Sequence, residues 1–123
     1  MTDSDLITVA HRIVAKLKAA RASGEIFPGS PVSGDQLAAA YNKRFNTNYT
    51  SAEIRDAIHH ARAEESQPIG SNKSGYWWCI SQAEWEDTKI RLLSRIKNQQ
   101  RAASNPDLFF IEQQSLTFGG GAS

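Results

Sequence analysis

The chain has 123 residues, of which 40% are hydrophobic and 22% are charged, and its formal net charge is +1. This composition is that of an ordinary globular domain with a modest core. It is less basic than a domain that binds nucleic acid by charge alone. The charge is also uneven, at +1 over residues 1–80, +2 over residues 81–103 and −2 over residues 104–123.

Cysteine content and hydropathy bear on the cellular compartment. The single Cys79 excludes an internal disulfide and favours a reducing environment. No apolar run approaches the length of a membrane span, and the first five residues lack the basic and apolar regions of a signal peptide. We therefore expect a cytoplasmic protein, in a bacterial host cell, with no membrane partner.

The first predicted helix runs from about Asp5 to Ser23. Its apolar residues keep a helical period, and Gly24 favours termination. The loop that follows contains two prolines and one glycine between Gly24 and Gly34. Either Ile26-Phe27 or Val32 would supply a short edge strand, and the sequence leaves this choice open.

Two further helices follow, separated by a short turn. Ser33 and Gln36 have the spacing of a capping box at the start of the second helix. The segment 46–48 ends that helix, and Ser51 occupies the predicted N-cap position of the third. Two helices joined by so short a turn are typical of a helix-turn-helix.

The third helix carries two stripes at helical spacing. We predict that Ile54, Ile58 and Ala61 are buried. The stripe of Arg55, His59 and Arg62 lies on a neighbouring face, where it is available to a partner.

The segment 68–80 predicts a β-hairpin. Its tip, residues 70–75, is rich in turn-forming residues, and β-favouring residues follow it. Alternation places Tyr76, Trp78 and Ile80 on one face of the strand, and Trp77 and Cys79 on the other. We predict that Trp78 is buried, whereas Trp77 is divided between core and surface.

A helix, a tight turn, a helix and a polar hairpin tip closing on Gly75-Tyr-Trp77 together resemble the winged-helix proteins encoded by bacteriophages and related mobile elements. The resemblance covers about residues 5–100. It implies a mainly α fold with a small β-hairpin (α+β), in which a winged helix-turn-helix is followed by a long C-terminal helix and a flexible tail. The expected domains are the winged helix (1–80), the long helix (81–103) and the tail (104–123).

In that family the second helix of the pair enters the major groove of double-stranded DNA, and the hairpin lies along the backbone. By position, the resemblance implies base contacts from the stripe of the third helix and phosphate contacts from the second helix and the hairpin. Acidic neighbours of this stripe, including Asp56 and Glu64, predict weak affinity per copy. The DNA-binding residues implied are Lys43, Arg44, Ser51, Arg55, His59, Arg62, Asn72 and Lys73.

After Ile80, the spacing of Ser81 and Glu84 predicts a third cap and a long helix to about Ala103. Residues on one stripe of this helix have the spacing of a coiled-coil seam, with Trp85 as the anchor on the domain. The stripe favours either a homodimer through residues 82–103 or a solvated cationic face, and the two remain alternatives. The stripe consists of Trp85, Thr88, Leu92, Ile96, Gln99 and Ala103.

The C-terminal segment 113–118, Gln-Gln-Ser-Leu-Thr-Phe, is similar to the motif by which bacterial replication and repair proteins bind the DNA polymerase sliding clamp. The resemblance implies that Leu116 and Phe118 enter an apolar cleft while Gln113 hydrogen-bonds at its rim. The alternative is that residues 108–118 form a docking strand or an accessory part of the core.

Catalytic and metal-binding patterns are weak. Asp56, His59 and His60 do not complete a zinc site, and Cys79 has no evident base partner. We therefore expect no enzyme, metal or cofactor. The leading hypothesis is a DNA-binding protein acting in regulation or replication of a phage or mobile element. The alternative is a non-enzymatic adaptor or inhibitor that binds the host sliding clamp through its tail.

Overall fold

A computed structural model describes the backbone of residues 1–103 and the side chains of residues 1–94. The described residues form four α-helices and one antiparallel two-stranded sheet. The prediction of a mainly helical α+β chain with a small hairpin is confirmed. In chain order the elements are α1 (Asp3–Ser23), α2 (Gly34–Phe45), α3 (Ser51–Glu64), β1 (Ile69–Asn72), β2 (Gly75–Trp78) and α4 (Gln82–Ala103).

Local capping signals explain where the helices begin and end. The predicted capping box of Ser33 and Gln36 is confirmed at the start of α2, and a similar box at Thr2 starts α1. Gly24 ends α1 with φ of 80°, a left-handed conformation that glycine adopts without the steric cost of a Cβ. Asn46 ends α2 in the same region of conformational space.

The cap of α3 differs from the prediction, because Thr50 rather than Ser51 is the N-cap residue. The Oγ1 of Thr50 accepts from the backbone N–H of Glu53 at 3.1 Å, and the carboxylate of Glu53 accepts from the Thr50 N–H at 3.0 Å. Thr50 and Glu53 have the spacing of a capping box, so the backbone N–H groups of both residues are satisfied. The helix therefore begins one residue earlier than a cap at Ser51 would allow. Ser51 is the first helical residue.

The core lies where α1 and α2 pack against α3, with the hairpin adding side chains from its inner face. The predicted buried stripe of α3 is confirmed, since Ile54, Ile58 and Ala61 are almost fully buried. The largest fully buried apolar side chains are Val9, Leu17, Ile54, Ile58 and Ile69.

Backbone pairing joins the hairpin to the segment before α2. In the sheet, Gly70 pairs with Trp77 and Asn72 with Gly75. Val32 adds an isolated bridge to Tyr76. The Tyr76 N–H donates to the Val32 carbonyl at 2.8 Å, and the Val32 N–H donates to the Tyr76 carbonyl at 3.0 Å. Of the two candidate edge strands, Val32 is therefore the one that joins the hairpin.

The two tryptophans of β2 differ in burial. Trp77 is 2% exposed and Cys79 is also buried, whereas Trp78 is partly exposed and Ile80 is 66% exposed. The prediction that Trp78 is buried is wrong, because this side chain is only partly buried, and Trp77, for which core and surface were left open, lies in the core. The register explains this, because Trp77 faces Gly70 across the sheet and a Cβ on Gly70 would collide with the indole.

An ion pair joins the end of α1 to the start of α4. Arg21 donates to both carboxylate oxygens of Glu84, at 2.7 and 2.9 Å, and also to the Trp78 carbonyl at 3.1 Å. This hydrogen bonding lowers the pKa of Glu84. The Oγ of Ser81 accepts from the Glu84 N–H at 3.2 Å, as a capping residue does.

The chain divides into two compact units, residues 1–85 and residues 86–123. Trp85 packs against the core of the first unit, as predicted. In the second unit, Lys89 pairs with Glu86 at 3.2 Å and Arg91 pairs with Asp87. The seam residues Ile96, Gln99 and Ala103 have side chains outside the described set, so the homodimer stays a prediction. None of the described helices is long and apolar enough to span a membrane.

Candidate nucleic-acid interface

Helix α3 presents a polar face opposite its buried stripe. Arg55, Asp56 and His59 are exposed on this face. Arg55 lies beside the N-terminus of α2 and beside β2. A Cβ built on Gly34 would lie 3.7 Å from its Nη1 and 3.9 Å from the ring of Tyr76. The outward face of α3 is thus next to the hairpin, and we call α3 and the hairpin together the α3–hairpin face.

Arg62, the third member of the predicted stripe, has a different environment. Its Nε donates to the carbonyl oxygen of Ile69 at 2.8 Å, and its guanidinium lies 5.8 Å from the centre of the Tyr76 ring. The side chain is partly buried. Arg62 therefore joins α3 to β1, and the structure does not place it with Arg55 and His59 on the exposed face.

The tip of the hairpin is a two-residue turn of Lys73 and Ser74 between the paired ends of the strands. The side-chain oxygen of Asn72 accepts from the backbone N–H of Ser74 at 2.8 Å and of Gly75 at 3.1 Å. Asn72 therefore stabilises the turn, and Lys73 is exposed at its end. A lysine in this position can reach a phosphate group.

The relative position of α2 and α3 depends on residues that the sequence analysis did not single out. Asn42 donates to the carbonyl of Tyr49 at 2.9 Å and accepts from the Tyr49 N–H at 2.9 Å. It also accepts from the Thr47 hydroxyl at 2.8 Å. Asparagine commonly forms such bonds to nearby backbone groups, so its place just before the turn is the signal that could have identified it.

Ser51 also helps to join these helices. Its hydroxyl donates to the carboxylate of Asp35, so the first turns of α2 and α3 are connected. Lys43 and Arg44 are exposed near the end of α2. The Arg44 guanidinium lies 5.3 Å from the centre of the Phe45 ring. Ser51 is therefore at the end of α2 that lies near Tyr76 of the hairpin, whereas Lys43 and Arg44 are in the last turn of α2.

Four acidic side chains lie on or next to α3, and two of them have partners within the protein. Glu53 completes the cap at Thr50, a bond that lowers its pKa, and lies 3.6 Å from the N-terminal amine. Glu65 lies 2.6 Å from Nε2 of His11 and 3.8 Å from Nε2 of His60. Asp56 and Glu64 are exposed. Glu53 and Glu65 thus have partners within the protein. Asp56 follows Arg55 directly in the sequence and is exposed on the same face of α3.

Burial raises the pKa of the Cys79 thiol. Within the part of the chain whose side chains are described, no group of three His, Cys, Asp or Glu residues could hold a metal ion. The predicted clamp-binding residues Gln113, Leu116 and Phe118 lie outside the described residues.

Comparisons with protein-family models, curated proteins and solved structures found no match to this chain.

Proposed function

We propose that this chain is a winged-helix protein that binds double-stranded DNA. In this assignment α2 and α3 are the helix-turn-helix, α3 enters the major groove and the β1–β2 hairpin is the wing. The observation that carries the proposal is the α3–hairpin face, where the exposed Arg55 lies beside Tyr76 of the same hairpin that bears Lys73 at its tip. A role in the regulation or replication of a phage or mobile element follows from the resemblance of the sequence alone.

The contacts that hold the hairpin support this assignment. Val32 pairs with Tyr76 on one side of the hairpin, and Arg62 bonds to Ile69 on the other. A wing must keep a defined position relative to the reading helix, because its phosphate contacts set the register of the protein on the duplex. The proposed role of Arg62 is therefore to position the wing.

Among the exposed residues, Arg55 is the best candidate for base readout, since arginine forks onto the O6 and N7 atoms of guanine. Asp56 could accept from the N4 amine of cytosine in the same groove. His59, one turn after Arg55, completes the exposed set on α3. We assign Lys73 to a phosphate, together with Lys43 and Arg44 near the end of α2.

Fluorescence anisotropy of labelled duplex DNA tests this proposal. The protein is titrated at low and moderate salt against mixed-sequence DNA and against DNA that flanks its own gene. We expect affinity that weakens with salt and favours the flanking DNA. Arg55→Ala should lower the preferred-site affinity by about 1 to 3 kcal/mol, and Lys18→Ala is the matched control. Lys18 is exposed and lies over Trp78, at the end of β2 away from the turn.

The absence of binding at low salt to every duplex would contradict DNA binding. An equal effect of Arg55→Ala and Lys18→Ala on all duplexes would contradict base readout by Arg55.

The second candidate function is an adaptor that binds a bacterial sliding clamp, and the specific observation that favours it is the 113–118 motif. Clamp binding by the full chain is compared with that of a double variant, Leu116→Ala with Phe118→Ala, using surface plasmon resonance. We expect the double variant to lose binding and Gln114→Ala to retain it, because Gln114 is not one of the anchor positions. Equal binding by all three chains, or none by the unaltered chain, would exclude this adaptor function.

A further inference from the structure

A groove of about 470 Å³ lies between α1 and α2, and its lining contains no residue of α3. Its floor is apolar and includes Ile13, Leu37 and Phe45. Its rim carries three cations, Arg12 and Lys16 from α1 and Arg44 from α2.

The cations of the rim are positioned around this floor. Arg12 lies 3.9 Å from the centre of the Phe45 ring and donates to the Tyr41 hydroxyl at 3.0 Å. Arg44 approaches the same ring from α2. Lys16 lies 3.9 Å from Glu25, which is not part of the lining, and none of the lining residues is acidic. The groove therefore combines an apolar floor with a rim of one sign of charge.

This combination defines the chemistry of an occupant. Apolar side chains would displace water from the floor, and flanking carboxylates would meet the guanidinium and ammonium groups. A groove between two helices that is lined in this way suits a short peptide segment with apolar anchors.

The chain itself contains a segment of this composition. Residues 107–112 read Asp-Leu-Phe-Phe-Ile-Glu, so four consecutive apolar residues lie between two acids. We propose that the groove binds the 107–112 segment of a second copy of this chain. The two acids of the segment complement the three cations of the rim, and its four apolar residues match the floor. The assignment to a second copy does not depend on DNA binding, and the test below includes occupation of the groove by the same copy as an outcome against it.

Sedimentation velocity of the full chain over a range of concentrations tests the association. We expect self-association that weakens about tenfold in the double variant Lys16→Glu with Arg44→Glu, through like-charge repulsion of the acidic segment. Lys43→Glu is the matched control, because Lys43 neighbours Arg44 on α2 and is exposed but does not line the groove.

A charge exchange separates this contact from a general loss of structure. Asp107→Lys with Glu112→Lys should weaken association as the groove variant does. Mixing that chain with the Lys16→Glu, Arg44→Glu chain should restore association, because the opposite charges meet again. Circular dichroism and thermal melting check that each variant is folded.

Three outcomes would overturn the proposal. The first is a chain that stays monomeric at every concentration. The second is association that is insensitive to the charges of both groove and segment, as expected for pairing through α4. The third outcome is that each copy fills its own groove. In that case the unaltered chain would be monomeric and would not bind a synthetic peptide of residues 105–113, because its groove is already occupied. A full-length variant carrying Phe109→Ser and Phe110→Ser would bind the peptide.

Discussion

Arg55 and Arg62 lie two turns apart on α3, yet the fold uses them in different ways. Arg55 is exposed beside the hairpin, whereas Arg62 donates to a backbone carbonyl of β1. Helical spacing tells which residues share a face, but the neighbours of that face change along the helix. Near the C-terminal end of α3, a backbone carbonyl of β1 comes within hydrogen-bonding distance, and there a cation stabilises the fold.

The α3–hairpin region therefore has an outer part and an inner part. The outer part consists of Arg55, His59 and Lys73, which are exposed. The inner part consists of Arg62, Gly70 and Trp77, which hold the hairpin on the domain. Substitutions in the inner part should change stability, and substitutions in the outer part should change binding.

The largest effect is expected at Trp77. Because its side chain is almost fully buried, Trp77→Ala should lower the free energy of unfolding by about 3 to 5 kcal/mol. Trp78→Ala, at the partly exposed neighbour, should cost less. Urea denaturation followed by circular dichroism measures both. Equal losses for the two variants would contradict the assignment of Trp77 to the inner face.

Arg62→Ala should lower the free energy of unfolding by about 1 to 3 kcal/mol, because the Ile69 carbonyl loses its charged donor. Arg55→Ala is the matched control and should change stability by no more than about 0.5 kcal/mol, as exposed substitutions usually do. The same denaturation experiment compares them. A loss for Arg55→Ala as large as that for Arg62→Ala would remove the distinction between the two arginines.

The Arg21–Glu84 pair, which also contacts Trp78, predicts a dependence of stability on pH. Hydrogen bonding to Arg21 lowers the pKa of Glu84 in the folded chain below its ordinary value of 4.5. The unfolded chain therefore binds more protons around that pH, and the contribution of Glu84 is lost as pH falls through its folded pKa. In Glu84→Gln, the free energy of unfolding should fall less between pH 6 and pH 3 than in the unaltered chain. The difference corresponds to the loss of about one titrating group. Parallel pH profiles of the variant and the unaltered chain would show that the pair adds no stability.

The smallest effect on the fold is expected at the hairpin tip. Lys73→Ala should leave the free energy of unfolding within about 0.5 kcal/mol, because the side chain is exposed. If Lys73 meets a phosphate, the variant should weaken binding equally on all duplexes and reduce the slope of log affinity against log salt by about 1. Anisotropy titrations at several salt concentrations measure this slope. A change confined to one DNA sequence would assign Lys73 to base readout instead.

Signals between near neighbours in the sequence predicted much of the fold. The helical periods, the Ser33 cap, the stop at Gly24 and the hairpin all depend on residues a few positions apart, and each is present. The cap of α3 was misplaced because Thr50 and Ser51 are both good capping residues. The acid three positions after Thr50 decides between them.

Less of the candidate site was predictable. The sequence identified Arg55, His59 and Lys73 as cations or potential cations on a helix and a turn, and their exposure agrees with this. It did not separate Arg62 from them, because the carbonyl that Arg62 meets comes from a strand seven residues later. The role of Asn42 in the turn was likewise missed.

The amino-acid sequence alone predicts the order and type of the elements, since caps, turns and periodicity act over one or two turns of backbone. Tertiary contacts are needed to explain why Val32 joins the sheet, why Trp77 is more deeply buried than Trp78, and why Arg62 bonds to β1. Each of these outcomes depends on a partner from another element. The free energy of such a contact exists only once the chain has brought the two elements together.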